Sequence, residues 1–547
     1  MLTWLSGGAV AAAADVTLGQ SNAPGPTPAA VSGTGAQAAS ASASGPVALT
    51  SAGKVRGYKN GAVSVFKGIP YAASTAGANR FMPPRKRESW SGIRDATRLG
   101  DKCPQNSTPW LMPEEAVSLS TEPMSEDCLH LNVWTTGLRD GRKRPVMVWF
   151  HGGGFSSGSG GNTRYEGSHL ATRQGVVLVT VNHRLNIFGH LFLADIVGDA
   201  FADSGNLGML DIVAALEWIR DNISEFGGDP GNVTVFGESG GGGKVSTLMA
   251  MPAAAGLFHR VIAQSGVSLR QTPREVATST AKAVLAKLGI QPSEVATKLR
   301  SVPQAELLEA INTMKPPPGF APVVDGRSLP RHPFDPTAPE VSANVPILLG
   351  SNGTEVTFFP DTPLDPIDEA TLHQTLKRYA RLDDAGTDKL IALYRKTRPK
   401  IANEYLYQII ASDYWLTSAV ADQAERKAAL GKAPAYVYHF EWESPVRDGK
   451  LRSVHSVEIP FVFDNIDLAE PLVGTGPHLA PMAATISGAW ARFARTGNPN
   501  GKGLPDWAPY SSQSHNVMIL DKTCRAENDP RREERLAIAT IKAQQTA

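Results

Sequence analysis

The sequence has almost no net charge, no long apolar run and few cysteines, and each of these features excludes a class of protein. Lys and Arg number 53 against 52 Asp and Glu, so a formal net charge of +1 gives no electrostatic reason to expect nucleic acid or an anionic membrane as partner. No uninterrupted apolar stretch reaches about 18 residues, so we expect no stable membrane insertion. There is neither a C-x-x-C pair nor an H-E-x-x-H motif, so no metal and no cofactor is predicted.

Lysine and arginine are also missing from the N-terminal segment, where the first is Lys54. Residues 20–46 are dominated by Ala, Ser, Gly and Pro, which cannot bury enough apolar surface to offset the entropy of ordering. Residues 1–14 are apolar and end in small residues, as a signal peptide ends, but lack a basic start. We therefore predict a signal remnant or a disordered leader over 1–46 and one folded domain over 47–547. This leader predicts secretion or periplasmic export and leaves a cytoplasmic location open.

The three cysteines leave two interpretations open. In an exported protein, Cys103 and Cys128 could close a loop and leave Cys524 unpaired, a link typically worth on the order of 3 kcal/mol. In a cytosolic protein, all three would be buried thiols.

Two chemistries compete for residues 237–247, which read GESGGGGKVST. A P-loop requires Gly, four residues, Gly-Lys and then Ser or Thr. Counting back from Lys244 places Glu238 where the first glycine belongs, and Val245 stands where the magnesium-binding hydroxyl belongs. The phosphate-binding interpretation fails at both positions.

The same residues fit a strained turn that presents a nucleophilic serine. Gly237, Ser239 and Gly241 match G-x-S-x-G, in which glycines flank the serine because side chains would clash in a sharp strand-to-helix turn. The β-branched run 232–236 predicts the strand before the turn, and 244–251 predicts the helix after it.

Continuous apolar runs of strand length alternate with helical patterns along the chain. The runs 145–150, 175–181, 345–349 and 435–440 are typical of strands buried on both faces of a sheet. The helical pattern 209–226 places Leu210, Val213, Ala214, Leu216 and Ile219 roughly on one face. Residues 47–69 predict a small antiparallel meander. The fold class is therefore α/β, with a large mostly parallel central sheet and helices on both faces.

A nucleophilic serine also needs donors for the oxyanion. Residues 151–155 (HGGGF) directly follow the predicted strand 145–150, and three glycines allow successive N–H groups to turn toward one point. Each such donor typically contributes about 2.7–4 kcal/mol in the transition state.

The base must be a histidine beyond Ser239, because serine turns of this kind are followed in the chain by the acid and then by the histidine. His439 lies inside a strand pattern, His373 in a polar helical stretch and His515 in a polar turn. His455 lies in a loop after the strand 435–440, where a base belongs. It is the best candidate.

The acid has one candidate at a comparable position. Glu355 follows the predicted strand 345–349 through the short segment 350–354, so it too lies in a loop at a strand end. The residues alone make His455 and Glu355 candidates and leave their pairing open.

Eight longer motifs occur along the chain in the order in which a known family has them. They are 66–71 (FKGIPY), 80–84 (RFMPP), 126–134 (EDCLHLNVW), 206–211 (NLGMLD), 226–230 (FGGDP), 350–355 (GSNGTE), 455–461 (HSVEIPF) and 490–499 (WARFARTGNP). Together with the serine turn, they resemble the type-B carboxylesterases of the α/β-hydrolase fold, a family that includes cholinesterases and bacterial para-nitrobenzyl esterases. The resemblance runs from about residue 47 to 510.

The resemblance implies a serine carboxylesterase that acts through an acyl-enzyme on small-molecule esters. It implies Ser239 as nucleophile, His455 as general base and acid, and Glu355 as the orienting acid. The oxyanion-hole donors it implies are the N–H groups of Gly153, Gly154 and Gly240, and it implies a disulfide between Cys103 and Cys128. Alternatives are a non-catalytic adhesion or interaction homologue and a hydrolase of amides, carbamates or thioesters.

Two residues depart from what the family resemblance leads us to expect. Gly240 stands where relatives usually carry alanine, which predicts a slightly looser turn. Lys244 is unusual, and we interpret it as a solvated or salt-bridged helix residue rather than a contact to a substrate carboxylate. Phe358, Phe359 and Trp415 are candidates for an apolar pocket wall. The ester itself, the role of Cys524 and the oligomeric state stay open, with a monomer as the default.

Overall fold

The computed structural model describes residues 45–106 and 120–546, so most of the predicted leader 1–46 lies outside the described residues. The strands are β1 (Val47–Leu49), β2 (Lys54–Arg56), β3 (Tyr58–Asn60), β4 (Val63–Pro70), β5 (Ile93–Asp95), β6 (His130–Thr135), β7 (Arg144–Phe150), β8 (Val177–Val181), β9 (Gly228–Glu238), β10 (Arg260–Gln264), β11 (Thr272–Pro273), β12 (Val323–Val324), β13 (Ile347–Asn352), β14 (Ala435–Phe440), β15 (Asn516–Leu520) and β16 (Arg525–Asn528).

The helices follow the strands in alternation through most of the chain. They are α1 (Ser168–Gln174), α2 (Asn186–His190), α3 (Ala194–Val197), α4 (Leu207–Asn222), α5 (Gly240–Leu248), α6 (Arg274–Lys287), α7 (Gln304–Asn312), α8 (Glu369–Ala380), α9 (Asp384–Thr397), α10 (Asn403–Ser412), α11 (Ser418–Ala429), α12 (Ile459–Phe463), α13 (Glu470–Val473), α14 (Leu479–Thr496) and α15 (Arg532–Thr546). No helix of the described ranges is long and apolar enough to span a bilayer.

One large sheet of eleven strands organises the molecule, in the order β16-β15-β14-β13-β10-β9-β7-β8-β6-β4-β3. The strands from β15 to β8 pair in parallel. The pairings at both ends of the sheet are antiparallel, including β6, β4 and β3 from the N-terminal part. The predicted α/β class, with its mostly parallel sheet and N-terminal antiparallel strands, is confirmed.

The parallel strands are apolar at successive positions because both faces of the sheet are covered. In β7, Val146 and Val148 belong to one apolar cluster, whereas Met147 and Trp149 belong to the cluster on the opposite face. All four side chains are fully buried. A strand in this position gains from an apolar residue at every step, and this explains the unbroken apolar runs in the sequence.

The start of the helix after the predicted turn and the buried face of α4 differ from the sequence-based expectations. Helix α5 begins at Gly240, four residues earlier than predicted, and its first glycines lie against neighbouring backbone. A Cβ atom on Gly241 would come 1.9 Å from the carbonyl oxygen of Phe150. In α4, Leu210 and Ala214 are only half buried, whereas Met209 and Ile212 are buried, so the buried surface is wider than the predicted face.

Candidate active site

Ser239 lies between the end of β9 and the start of α5, at the carboxyl edge of the parallel strands. Its φ of 56° lies in the left-handed region, which a non-glycine residue adopts at a cost of roughly 1–3 kcal/mol when the surroundings enforce it. The Ser239 N–H donates to the carbonyl of Gln264 at 2.9 Å, which ties the turn to the end of β10. The residue is half buried.

The loops after β13 and β14 bring the predicted acid and base together. Thr354 and Val454 form an isolated parallel bridge, and the residues that follow them are Glu355 and His455. The Nδ1 atom of His455 lies 2.6 Å from Oε2 of Glu355, and both side chains are buried. The backbone N–H of Asn352 donates to Oε1 of Glu355 at 2.6 Å. The carboxylate is therefore fixed from both oxygens and orients the imidazole ring.

The other ring nitrogen of His455 faces Glu238, a residue that the sequence analysis did not assign. Nε2 lies 3.1 Å from Oε1 of Glu238, and the same oxygen accepts a hydrogen bond from Ser456 Oγ at 2.7 Å. Within the described residues, no hydrogen bond joins Ser239 to His455. The position of Glu238 directly before the serine was the available signal, because a residue next to the nucleophile must lie near the base.

Charge and burial act in opposite directions on this pair. Burial lowers the pKa of His455, but the carboxylates of Glu238 and Glu355 together outweigh burial and raise it above the usual value. Burial raises the pKa of Glu238 well above the usual carboxyl value, although the neighbouring imidazole opposes this. The imidazole is therefore stabilised in its cationic form between two acidic groups.

A third buried acid, Glu458, lies behind this pair without touching the imidazole. Its oxygens accept hydrogen bonds from Asn352 Nδ2 at 2.7 Å and from Gln264 Nε2 at 3.2 Å. Burial raises its pKa. Glu458 links the end of β13, which leads to Glu355, with Gln264 at the end of β10, whose carbonyl accepts from the Ser239 N–H. Its place in the motif HSVEIPF gave no sign of this role.

The glycine loop after β7 lies against the serine turn. Gly153 and Gly154 have φ of 82° and 61°, and within the described residues the N–H groups of Gly153, Gly154 and Gly240 donate to no acceptor. A Cβ atom on Gly240 would come 2.2 Å from the Gly154 carbonyl oxygen and 2.5 Å from its nitrogen. The loop thus touches the turn at residue 240. The Gly154 backbone occupies the space that a methyl on residue 240 would need, and a looser turn at Gly240 stays a prediction.

Lys244 is also not the solvated or salt-bridged residue that the sequence suggested. Its side chain is fully buried, and Nζ donates to the carbonyls of His151 at 2.9 Å and Gly154 at 2.8 Å. Burial lowers the pKa of Lys244 to about 7, with Glu238 opposing the shift. A lysine at the fifth position of a surface helix would look the same in sequence, so the pattern could not reveal the burial.

Two aromatic rings lie beside the imidazole of His455, and a third packs against one of them. The rings of Phe358 and Trp415 lie 5.3 Å and 5.6 Å from its imidazole, and Phe359 lies 5.1 Å from Trp415. All three aromatic residues are half buried. The three residues considered for an apolar wall therefore form one cluster beside the imidazole.

The other histidine candidates lie elsewhere. His439 is buried in β14, where Arg531 Nη2 lies 2.7 Å from its Nε2. His373 on α8 lies 3.3 Å from Asp388, and His515 lies 3.9 Å from Glu425. None of these three histidines contacts Ser239 or Glu355 among the described hydrogen bonds and ion pairs.

The three cysteines are free thiols. Cys103 and Cys128 are buried in the same apolar cluster, and a hydrogen bond between their side chains raises the pKa of the Cys128 thiol. Cys524 is half buried, and burial raises its pKa. In the described ranges no group of three or more His, Cys, Asp or Glu side chains is placed to hold a metal ion.

A sequence model of the group described as the Carboxylesterase family matches residues 44–538 of this chain. Para-nitrobenzyl esterase of Bacillus subtilis (strain 168) is 36% identical over 501 residues, which cover 89% of this chain and 97% of that protein. Phenmedipham hydrolase of Pseudarthrobacter oxydans is 34% identical over 516 residues, which cover 91% of this chain and 99% of that protein.

Solved structures give the same result at the level of the fold. A carboxylesterase of Geobacillus stearothermophilus matches with a TM-score of 0.78 and 38% identity, covering 90% of this chain and 99% of that chain. An esterase from anaerobic Clostridium hathewayi, described as hydrolysing aliphatic aromatic polyesters, matches with a TM-score of 0.78 and 34% identity. The match covers 91% of this chain and 98% of that chain.

Proposed function

This chain belongs to the carboxylesterase family, and we propose that Ser239, His455 and Glu355 carry out its ester hydrolysis. It is a serine carboxylesterase of the α/β-hydrolase fold, and its esterase relatives do not favour the non-catalytic adhesion or interaction homologue. The observation that carries the assignment is the 2.6 Å contact between His455 Nδ1 and Glu355 Oε2, formed by the loops after two adjacent parallel strands beside the serine turn.

The proposed reaction has two steps that use the same three residues. Nε2 of His455 accepts the Ser239 proton as Oγ bonds to the ester carbonyl carbon, and the carbonyl electrons move onto oxygen. The imidazolium then gives its proton to the departing alcohol, leaving an acyl group on Ser239. Water, deprotonated by His455, attacks the acyl carbon, and the proton returns to Ser239 as the acid leaves. Glu355 keeps the Nδ1 proton in place and stabilises the imidazolium.

The N–H groups of Gly153, Gly154 and Gly240 hold the negative oxygen of each tetrahedral intermediate. Support for this comes from two observations: these N–H groups have no acceptor among the described residues, and the loop touches the turn at residue 240. Donors that are fixed before the reaction stabilise the charge without reorganisation.

The aromatic cluster suggests where substrate specificity arises. Because His455 protonates the departing alcohol, the rings of Phe358 and Trp415 beside its imidazole face the leaving-group side. We propose small-molecule esters with an apolar or aromatic alcohol as substrates, since flat rings pack well on such a surface.

The test uses wild-type protein with p-nitrophenyl butyrate and a fluorophosphonate, followed by peptide mapping of the adduct. We expect hydrolysis and one adduct, located on Ser239. Matched p-nitrophenyl ester and p-nitroanilide substrates show whether amides are also cleaved. An adduct on another serine would contradict the assignment, and a folded wild type without adduct or hydrolysis would contradict the function itself.

Replacing Glu238 by glutamine should move the acidic limb of the kcat/KM profile to lower pH by about one unit or more. His455 must be neutral to accept the Ser239 proton, and the Glu238 carboxylate favours the cationic form through its contact with Nε2. Removing that charge lowers the pKa of the imidazole, so activity extends to more acidic pH. The profile of kcat/KM measures this, because it reports groups of the free enzyme.

Glu458→Gln is the control for this pH shift, because Glu458 is also buried but does not contact the imidazole. We expect a smaller displacement of the acidic limb. A shift of the Glu238→Gln profile to higher pH, or no shift, would show that Glu238 does not set the charge of His455.

We also propose that Cys103 and Cys128 form a disulfide when the protein is exported to an oxidising compartment. The burial of both side chains in one apolar cluster supports this, as does the effect of Cys103 on the pKa of the Cys128 thiol. Alkylation of free thiols followed by intact-mass measurement distinguishes the states: the periplasmic protein should carry one alkyl group, on Cys524, and three after reduction. Three groups without reduction would contradict the proposal.

A further inference from the structure

Lys244 joins the two ends of the glycine loop through a single atom. Its Nζ donates to the carbonyls of His151 and Gly154, and between these two carbonyls lie the N–H groups of Gly152, Gly153 and Gly154. A peptide carbonyl and the N–H of the same peptide unit point in opposite directions. The two held carbonyls belong to the peptide units that carry the N–H groups of Gly152 and Phe155. The two peptide units between them, which carry the N–H groups of Gly153 and Gly154, are therefore held from both ends.

Lys244 is fully buried and forms no ion pair with any described residue. The carboxylate of Glu238 acts on the ammonium only from beyond ion-pair distance, and its charge opposes the lowering of the Lys244 pKa. The other close neighbour of Lys244 is the ring of Phe155, 5.6 Å from Nζ. The rings of His151 and His183, stacked at 4.9 Å, have their pKa values lowered by burial and by Lys244, so their neutral forms are favoured beside the ammonium. The amino group is held by the two loop carbonyls.

Gly240 belongs to the same arrangement. The Gly154 carbonyl that accepts from Lys244 is the atom that a Cβ on residue 240 would strike, at 2.2 Å. Because residue 240 has no side chain, the Gly154 carbonyl that Lys244 binds can lie against the serine turn. The two residues at which this chain departs from the family expectation contact the same peptide group from two sides.

We propose that Lys244 is a positioning residue of the oxyanion site, which ties the loop 151–154 against the serine turn, and that Gly240 provides the room that this tie requires. The inference rests on the proposed function, because it assigns the loop N–H groups to the developing oxyanion. Lys244 and Gly240 then act together on the position of Gly154. Lys244 touches no reacting atom and acts through the backbone of Gly153 and Gly154.

Replacing Lys244 by methionine removes both hydrogen bonds and preserves the length of the side chain. We expect kcat for p-nitrophenyl butyrate to fall about 10²-fold, the loss associated with one misplaced oxyanion donor, while KM changes by less than about threefold. An alkyl trifluoromethyl ketone, which forms a tetrahedral adduct with the serine, should lose affinity by a factor similar to the loss in kcat/KM.

Lys427 on α11 offers a matched control. It is also buried, and its Nζ donates to two backbone carbonyls, those of Ser342 and Ala343 at 2.9 Å and 2.8 Å. Burial lowers its pKa as well. Lys427→Met should reduce thermal stability and leave kcat and ketone affinity within about threefold of wild type. A role of Lys244 in stability alone predicts the same behaviour for both variants, and that result would overturn the proposal.

Gly240→Ala supplies a second, independent measurement, which also decides the matter if Lys244→Met does not fold. Its added methyl should push Gly154 away and reduce kcat by at least about tenfold in a folded protein, although the residue 240 N–H is retained. Wild-type kcat in this variant would overturn the proposal. Fluorophosphonate labelling of wild-type Ser239 distinguishes failure of this inference from failure of the proposed function. If wild-type protein is not labelled, both the proposed function and this inference are contradicted.

Discussion

Alanine at position 239 should reduce kcat for p-nitrophenyl butyrate by about 10⁴- to 10⁶-fold, because the variant cannot form the acyl-enzyme. Catalysis by the remaining residues would not disappear, since bound ester still meets the N–H groups of Gly153 and Gly154, and donors of this kind alone accelerate hydrolysis by about 10³–10⁴ over water. The structural cost of the change is small, because Ser239 Oγ makes no hydrogen bond to the rest of the described chain. Fluorophosphonate labelling should vanish together with turnover.

Ser265 provides a matched control for this variant. It directly follows Gln264, whose carbonyl binds the Ser239 N–H, and its buried hydroxyl has no hydrogen-bond partner among the described residues. Ser265→Ala should label normally and keep kcat within about threefold of wild type. If Ser239→Ala retained full activity while Ser265→Ala lost it, the nucleophile would lie at the end of β10 and not in the turn after β9.

The sheet could be predicted from sequence because its physical requirement is simple. Strands such as β7 and β14 are covered on both faces, so every residue gains from being apolar, and the run can be recognised without knowledge of its neighbours. The loops that follow them were found for the same reason, since a polar or glycine-rich segment after such a run marks the strand end. The structure indeed brings Glu355 and His455 into contact through these loops.

What sequence could not predict depends on contacts between distant segments. Four successive glycines disfavour a helix by roughly 1 kcal/mol each relative to alanine, so a helix that starts at Gly240 was not expected. The Phe150 carbonyl 1.9 Å from a Cβ on Gly241 makes glycine necessary there. Lys244 was misjudged for a similar reason. Its carbonyl partners lie 93 and 90 residues away in the chain, and no local pattern reports them.

Glutamine at position 355 should lower kcat about 10⁴-fold, nearly as much as loss of the nucleophile, although it has the same shape as glutamate. The backbone N–H of Asn352 needs an oxygen at the Oε1 position, so the amide nitrogen of glutamine would occupy the Oε2 position beside His455 Nδ1. Nδ1 would then have to accept a hydrogen bond, and the ring proton would move to Nε2. In that tautomer, Nε2 cannot accept the proton of Ser239. The measurement is kcat for p-nitrophenyl butyrate, with circular dichroism to verify folding.

Glu458→Gln distinguishes this tautomer effect from the general cost of changing a buried acid. Glu458 is as deeply buried as Glu355 and also accepts from Asn352, through the side chain, but it does not touch the imidazole. Its replacement leaves the His455 tautomer intact, so kcat should fall by no more than about tenfold even if thermal stability falls as much as in Glu355→Gln. Equal losses of kcat in the two folded variants would mean that the buried acids act only by supporting the loops after β13 and β14. A loss confined to Glu355→Gln would instead place the orienting role on the one carboxylate that contacts Nδ1.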